Sequence, residues 1–479
     1  MMELAETADI AAQRPSTSDA KDRSSDELGR RLPTELFAIP TDFGTLLYAP
    51  LGRRLLMVNG VGAGRLARLA AGERCTGEAE VAFATRLADA GFLLPADSAD
   101  TGVSFPAPAT EFDPHGLTLF LTGRCSMRCV YCYSRGGESA RVMPFDTAQA
   151  AIAWIVEHTA RKGRNHLFLT VHGGGDPTMC LPLLRQVVSH ARQMAFDRGL
   201  QIRVDAGLNG VMNKATADWV VANLDSATIS LDGVPEVHNH QRPLRNGANS
   251  FSRVCRTLAR FDETGFHYGL RMTVTNFGLH RLNDSIELMA SAFSAPGGIQ
   301  VEPMFGVGRA ADLGLEPLDS GAFVAAFRSA DAVARRYGRR LKYSGARFDV
   351  MTNAFCKATG ESFAVTPEGL LTSCYEVADS DDPRSALFVF GRFDSEHRQF
   401  SFDADRLARL RSLTVEHKPQ CADCFCKWHC AGDCPAKIAA LGDPWDPSSS
   451  PRCHINRELT KDQIIEFLRA QPREASSPT

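Results

Sequence analysis

Cys125, Cys129 and Cys132 stand within eight residues of one another in GRCSMRCVYCYS, directly after the apolar run LTLFLT. Three thiolates on one loop can wrap one face of an iron–sulfur cluster, and soft sulfur ligands suit either such a cluster or zinc. No fourth ligand is near. A structural zinc site is normally closed by four protein ligands, whereas a catalytic cluster gains from an open iron. A second set follows: Cys356, Cys374 after Gly369, then Cys421-x2-Cys424-x5-Cys430-x3-Cys434, and Cys453. Read alone, Cys421 to Cys434 is also spaced as a zinc knuckle.

The elements that must position these thiols are legible from hydrophobic periodicity. From Leu117, short β-type runs alternate with amphipathic helical runs: LTLFLT then 146–160, HLFLTVHGG then 181–198, IRVDAGLNG then 214–223. ATISLDG then 249–263, YGLRMTV then 279–293, and IQVEPMF then 318–336 complete the series. Six βα units in a row predict a parallel sheet, open or curled into an incomplete barrel, with functional groups at the C-terminal ends of its strands. Past about residue 345 the alternation is lost. Upstream, TLLYAP and RRLLMVN read as two strands, and GRLARLAAG and EVAFATRLADAGFLLP as helices, a small α+β module over 31–97. Residues 98–113 have a linker composition, and both 1–30 and the end of 459–479 lack any apolar period.

Length and composition exclude several classes. The 479 residues, 44% hydrophobic and 23% charged, suffice for two to four domains. A formal net charge of -3 gives no field for nucleic acid or anionic lipid. The chain shows neither a membrane-length apolar run nor a signal peptide, so a cytoplasmic location is expected. In that reducing compartment fourteen cysteines point to metal or catalysis rather than disulfides.

The Cys125-x3-Cys129-x2-Cys132 loop, with Tyr131 before its last cysteine and a strand upstream, resembles that of the radical S-adenosylmethionine (radical SAM) enzymes. The resemblance implies that Cys125, Cys129 and Cys132 hold a [4Fe-4S] cluster. Its open iron would chelate the methionine part of SAM, whose reductive cleavage yields a 5'-deoxyadenosyl radical. HGGGDPT resembles that family's Gly-Gly-Glu-Pro motif, with Gly174, Gly175 and Asp176 in place and Asp where Glu is usual. Tyr131, Asn209, Ser230 and Arg271 fall where family contacts to SAM are expected, and Arg253 is a competing carboxylate partner. The implied fold is a partial (βα)6 TIM-like barrel over 114–340.

The later cysteines resemble the SPASM extension of that family, here 341–458, followed by a C-terminal helix in 459–479. By that resemblance Cys421, Cys424, Cys430 and Cys453 close an outer [4Fe-4S] cluster, and Cys356, Cys374 and Cys434 hold an inner one, giving three clusters in all. The inner fourth iron either stays open or takes a ligand that the seven-cysteine pattern does not specify; Cys426 is the nearest spare thiol. Cys255 reads as a buried core thiol, Cys75 as structural or exposed, Cys180 as a core thiol or a hydrogen donor near the active face, and His172 as a satisfied polar residue or a base. SPASM enzymes largely modify peptides, and the N-terminal module looks like the winged-helix element that binds leader peptides by strand addition. The expected activity is therefore a radical SAM peptide maturase that installs a thioether or carbon–carbon cross-link on a ribosomally made precursor peptide. Flavodoxin or ferredoxin would be the electron donor, and Glu376, Asp232 and Tyr375 are candidates for proton handling. The alternatives are a sulfatase-maturase-like formylglycine-forming enzyme, against which Tyr375 stands where those enzymes carry Asp, and a non-catalytic metal-stabilised binding protein.

Overall fold

A computed structural model describes residues 30–73, 77–98, 100, 103–105 and 111–470. The expected disordered segments, parts of the linker and Cys75 lie outside the described residues. Among the described residues no helix is long and apolar enough to cross a membrane.

The N-terminal module is a three-stranded antiparallel sheet, β1 (Phe37–Thr41), β2 (Gly44–Ala49) and β3 (Arg54–Val58), with helices α1 (Gly60–Ala70) and α2 (Glu78–Asp89). The sequence pattern shows β2 and β3 but not β1, because Pro40 argues against a strand; proline is tolerated here since β1 is an edge. Asn59 starts α1 by accepting a hydrogen bond from the Gly62 N–H at 2.9 Å. Alternation along β2 sends Leu47 and Ala49 towards Leu66, Phe83 and Leu87 of the helices. It sends Leu46 and Tyr48 the other way, against Phe425, Cys426, Cys430 and Ile464 of the C-terminal region.

The core follows the predicted alternation. β4 (Gly116–Leu119) leads to α3 (Phe145–Arg161), β5 (His166–Val171) to α4 (Leu181–Asp197), and β6 (Gln201–Leu208) to α5 (Lys214–Asn223). β7 (Ser226–Ser230) is followed by a short α6 (Pro235–Gln241) and by α7 (Phe251–Thr264), β8 (Tyr268–Val274) by α8 (Leu282–Ala292), and β9 (Ile299–Pro303) by α9 (Ser320–Arg336). All six strands pair in parallel in sequence order. The helices bury one face each, Ala148, Ile152 and Ile155 on α3 and Leu184, Val187 and Val188 on α4, against strand residues such as Leu119, Leu169 and Val204.

The structure departs from the expectation past residue 340. Leu341–Lys342 forms a further strand, β10, parallel to β9, so the core sheet runs beyond the expected boundary. At the opposite edge β11 (Phe363–Val365) pairs in parallel with β4, Leu117 opposite Phe363 and Leu119 opposite Val365. β12 (Leu370–Thr372), β13 (Val389–Asp394) and β14 (Gln399–Phe402) continue antiparallel, giving one sheet of eleven strands. Phe363, Val365, Leu371 and Phe390 share a hydrophobic core with Leu117 and Leu119. A final helix, α10 (Arg452–Ala470), begins earlier than expected and carries Cys453 in its first turn.

Candidate active site

The parallel strands end around a cavity of about 420 Å³. The loop after β4 brings Cys125, Cys129 and Cys132 to its wall, and the ends of β5 to β9 supply Gly174, Asn209, Ser230, Arg271 and Glu302. Tyr375, Glu376 and Lys437 close it from the C-terminal region.

Backbone and amide donors face the loop sulfurs. The Met127 N–H lies 3.5 Å from Cys125 Sγ, the Gly136 N–H 3.2 Å from Cys132 Sγ, and Asn209 Nδ2 3.6 Å from Cys125 Sγ. Asn209 also donates to Ser126 Oγ at 3.0 Å. Buried Arg309 grips the loop from below, donating to the Cys129 carbonyl at 2.8 Å and to the Gly136 carbonyl at 3.1 Å. Burial pushes the Cys129 thiol up to about 12, so a metal entering here must displace protons. Such donors suit charged thiolates, and three sulfurs with one side left to the cavity fit a cluster that keeps an open iron.

Behind the loop, the Tyr131 hydroxyl donates to Asp232 Oδ2 at 2.5 Å and accepts from Arg242 at 2.5 Å. Asp232 also accepts from Gln241 at 2.8 Å and from the Thr273 N–H at 3.1 Å. Asp232 is fully buried and does not line the cavity. Its expected role in proton handling is therefore corrected to that of a brace for Tyr131.

The glycine motif meets the loop backbone. Gly175 donates to the Thr122 carbonyl at 2.7 Å, and a Cβ there would fall 2.0 Å from the Arg124 carbonyl oxygen, so only glycine fits. Ser134 Oγ donates to the Gly174 carbonyl at 2.6 Å. Asp176 is spent on the protein itself, Oδ2 accepting from the Asn209 N–H at 2.7 Å and Oδ1 from the Thr178 N–H at 2.9 Å. The shorter carboxylate thus ties the end of β5 to the end of β6. Ser230 and Arg271 line the cavity, while Arg253 is exposed on α7 and outside it.

His172 faces the same space, its imidazole held neutral because burial and then Arg271 push it down to about 4. Its ring lies 5.4 Å from that of Tyr375, whose hydroxyl accepts from Thr118 Oγ1 at 3.1 Å.

The later cysteines gather in two groups. Burial, then Cys430 and Cys424, raise the Cys421 thiol to about 12, and Cys453 is raised by burial, Asp433 and the same three thiols. Cys426 joins this group, its Sγ 3.4 Å from Cys424 Sγ and 4.0 Å from Cys430 Sγ. In the other group burial, then Glu376, Cys434 and Cys356, push the Cys374 thiol well up. Among the described residues no three His, Cys, Asp or Glu converge closely enough to share one metal ion; a cubane cluster, which gives each thiolate its own iron, needs no such convergence.

Sequence reasoning missed Arg242, Arg309, Ser134 and Lys437. None carries a spacing signal, since each acts through a contact between segments far apart in the chain. Cys180 and Cys255 are core thiols, buried and half-buried respectively.

Residues 119–292 match the model of the Radical SAM superfamily. A GTP 3',8-cyclase of Haemophilus influenzae is 29% identical over 169 residues, 35% of this chain and 46% of that protein. The PqqA peptide cyclase of Methylorubrum populi is 26% identical over 186 residues, 38% and 45% of the two chains. The alignments thus span under half the length of either relative. The solved structure of native anSMEcpe with bound AdoMet and Kp18Cys peptide is 16% identical with a TM-score of 0.59, covering 75% of this chain and 100% of that one. At that identity it shows a shared fold.

Proposed function

From a radical SAM domain spanning residues 119–292, we propose that this chain is a peptide maturase that closes a thioether or carbon–carbon cross-link in a ribosomally made precursor peptide. The observation that carries the reading is the composition of the cavity wall. One side is the Cys125–Cys132 loop; the other is Tyr375 and Glu376, which follow Cys374 in the chain, and Lys437, three residues past Cys434. A substrate between them would meet both.

A reduced [4Fe-4S] cluster with SAM would supply a 5'-deoxyadenosyl radical able to take a hydrogen atom from carbon. The protein's own contribution is positioning. Cys125, Cys129 and Cys132 would hold the cluster, with Arg309, Asn209 and the Tyr131–Asp232–Arg242 brace fixing the loop. The Gly174–Gly175 backbone allows close approach of a methionine ammonium group, and Arg271 offers a guanidinium for a carboxylate. Neutral His172 and the Tyr375 hydroxyl flank the space left for the substrate carbon. Cys421, Cys424, Cys430 and Cys453 would hold an outer cluster, and Cys356, Cys374 and Cys434 an inner one that accepts the electron left after bond formation.

Peptide rather than small-molecule substrate is supported by the peptide cyclase relative, by the peptide in the structure of like fold, and by the N-terminal module. Its strands β1 and β3 are both sheet edges, to which an extended leader peptide could add. Electrons would come from a flavodoxin or ferredoxin.

The test is anaerobic reconstitution with iron and sulfide, followed by SAM, dithionite and precursor peptides encoded beside the gene. About twelve irons per chain, 5'-deoxyadenosine release and a peptide lighter by about two hydrogens support the reading. GTP is the control: its consumption, with no change in peptide mass, overturns the peptide assignment. Zinc in place of iron returns the chain to the metal-stabilised binding proteins.

A further inference from the structure

The inner thiol group is one ligand short of a cubane cluster, which has four irons against the three sulfurs of Cys356, Cys374 and Cys434. The spare thiol of the C-terminal region does not make up the difference. Cys426 lies with the outer group, 3.4 Å from Cys424 Sγ and 4.0 Å from Cys430 Sγ.

Glu376 is better placed. It follows Cys374 by two residues, and its backbone N–H points at Cys374 Sγ from 3.4 Å. Lys437 Nζ holds Oε1 at 3.0 Å. Oε2 is buried and accepts no hydrogen bond among the described residues; Arg384 Nη1, 3.5 Å away, neutralises charge without bonding to it. The side chain is 15% exposed, at the cavity wall. A buried carboxylate oxygen that lacks a donor, two residues from a cysteine of a three-thiol group, has the chemistry of a metal ligand, and side chains without sulfur do ligate cluster iron, as the histidines of Rieske centres show.

Resting on the inner-cluster reading above, we propose that Glu376 is the fourth ligand of that cluster, bound through Oε2 while Lys437 and Arg384 hold the carboxylate in place. The cluster then has no iron open to a substrate thiolate. Its part in the reaction is electron transfer, and the substrate meets Tyr375 and Lys437 rather than iron.

The experiment uses full-length protein in which Cys125, Cys129 and Cys132 are replaced by alanine, so that only auxiliary clusters remain. This parent is compared with its E376Q and E376C derivatives by iron content and by electron paramagnetic resonance with carbon-13 cyanide as the probe. The expectation is about eight irons in the parent and no cyanide hyperfine coupling, a coupling in E376Q, and its loss again in E376C, where a thiolate closes the site. Loss of about four irons in E376Q with retention in E376C supports the same assignment. Coupling in the parent as strong as in E376Q, no coupling in any of the three when all keep about eight irons, or equal iron loss in both derivatives overturns it while leaving the inner cluster standing. About four irons in the parent overturns the proposal and the inner-cluster reading together.

Discussion

Two residues behind the loop show how much of the site is support. Asp232 spends its carboxylate on Tyr131, Gln241 and the Thr273 backbone. Replacing it by alanine leaves the Tyr131 hydroxyl and the Thr273 N–H short of an acceptor and removes a buried countercharge from Arg242. We expect a loss of about 2–4 kcal/mol in urea unfolding and selective loss of iron from the first cluster, with auxiliary iron retained. His238 sits on the same network, its Nδ1 accepting the Asp232 N–H at 3.2 Å. Burial, and then Arg242, push its pKa down to about 3, against about 6.5 in an unfolded chain. Between these values the unfolded chain binds the extra proton, so stability is level above pH 6.5 and falls as the pH drops towards 3. The variant H238N, whose amide oxygen replaces Nδ1 as acceptor, should show a smaller drop in Tm between pH 7 and pH 5 than the parent; an equal drop assigns the acid sensitivity elsewhere. The thiols of the loop were legible in the sequence because they stand within eight residues of one another. Arg309 and Arg242 were not, since an arginine that grips a carbonyl from another strand has no pattern of its own.

Among the elements, the N-terminal sheet makes contacts that its sequence does not announce. Its periodicity gave two strands and two helices, enough for a module but silent on what its second face covers. That face lies on Phe425, Cys426, Cys430 and Ile464. Tyr48 hydrogen-bonds His429 at 2.5 Å, and Glu35 takes both Trp428, at 2.5 Å, and Lys427, also at 2.5 Å. Deleting residues 1–97 therefore does more than remove a binding edge. We expect about four irons fewer per chain and faster bleaching of the remaining absorbance in air, even on assays without peptide. A deletion that lowers peptide turnover yet keeps full iron content and air stability would show the module to be a recognition element alone.

At the scale of the molecule, the six βα units were readable because each strand is four to eight residues long and each helix amphipathic. The join to the cysteine-rich region was not. β11 and β12 are three residues each, too short for a period, and the pairing of β11 with β4 spans nearly 250 residues of chain. The consequence for stability is direct. A fragment of residues 114–340 would leave the β4 edge unpaired, including the Phe120 N–H that donates to the Val365 carbonyl at 3.0 Å, and would lose Phe363, Val365 and Leu371 from the common core. Exposed strand edges of this kind aggregate, so the fragment should be insoluble or elute as large assemblies in size-exclusion chromatography, while 30–470, which keeps both the β4–β11 pairing and the N-terminal sheet, should not.

The same continuity bears on how fast charge moves. The Cys125 loop springs from β4 and Cys374 from the end of β12, with only β11 between those strands in the ladder. Electron tunnelling falls off steeply with distance, and a rigid hydrogen-bonded sheet sets that distance once, at folding. Transfer between the two proposed iron sites should thus run at one rate, independent of solvent viscosity.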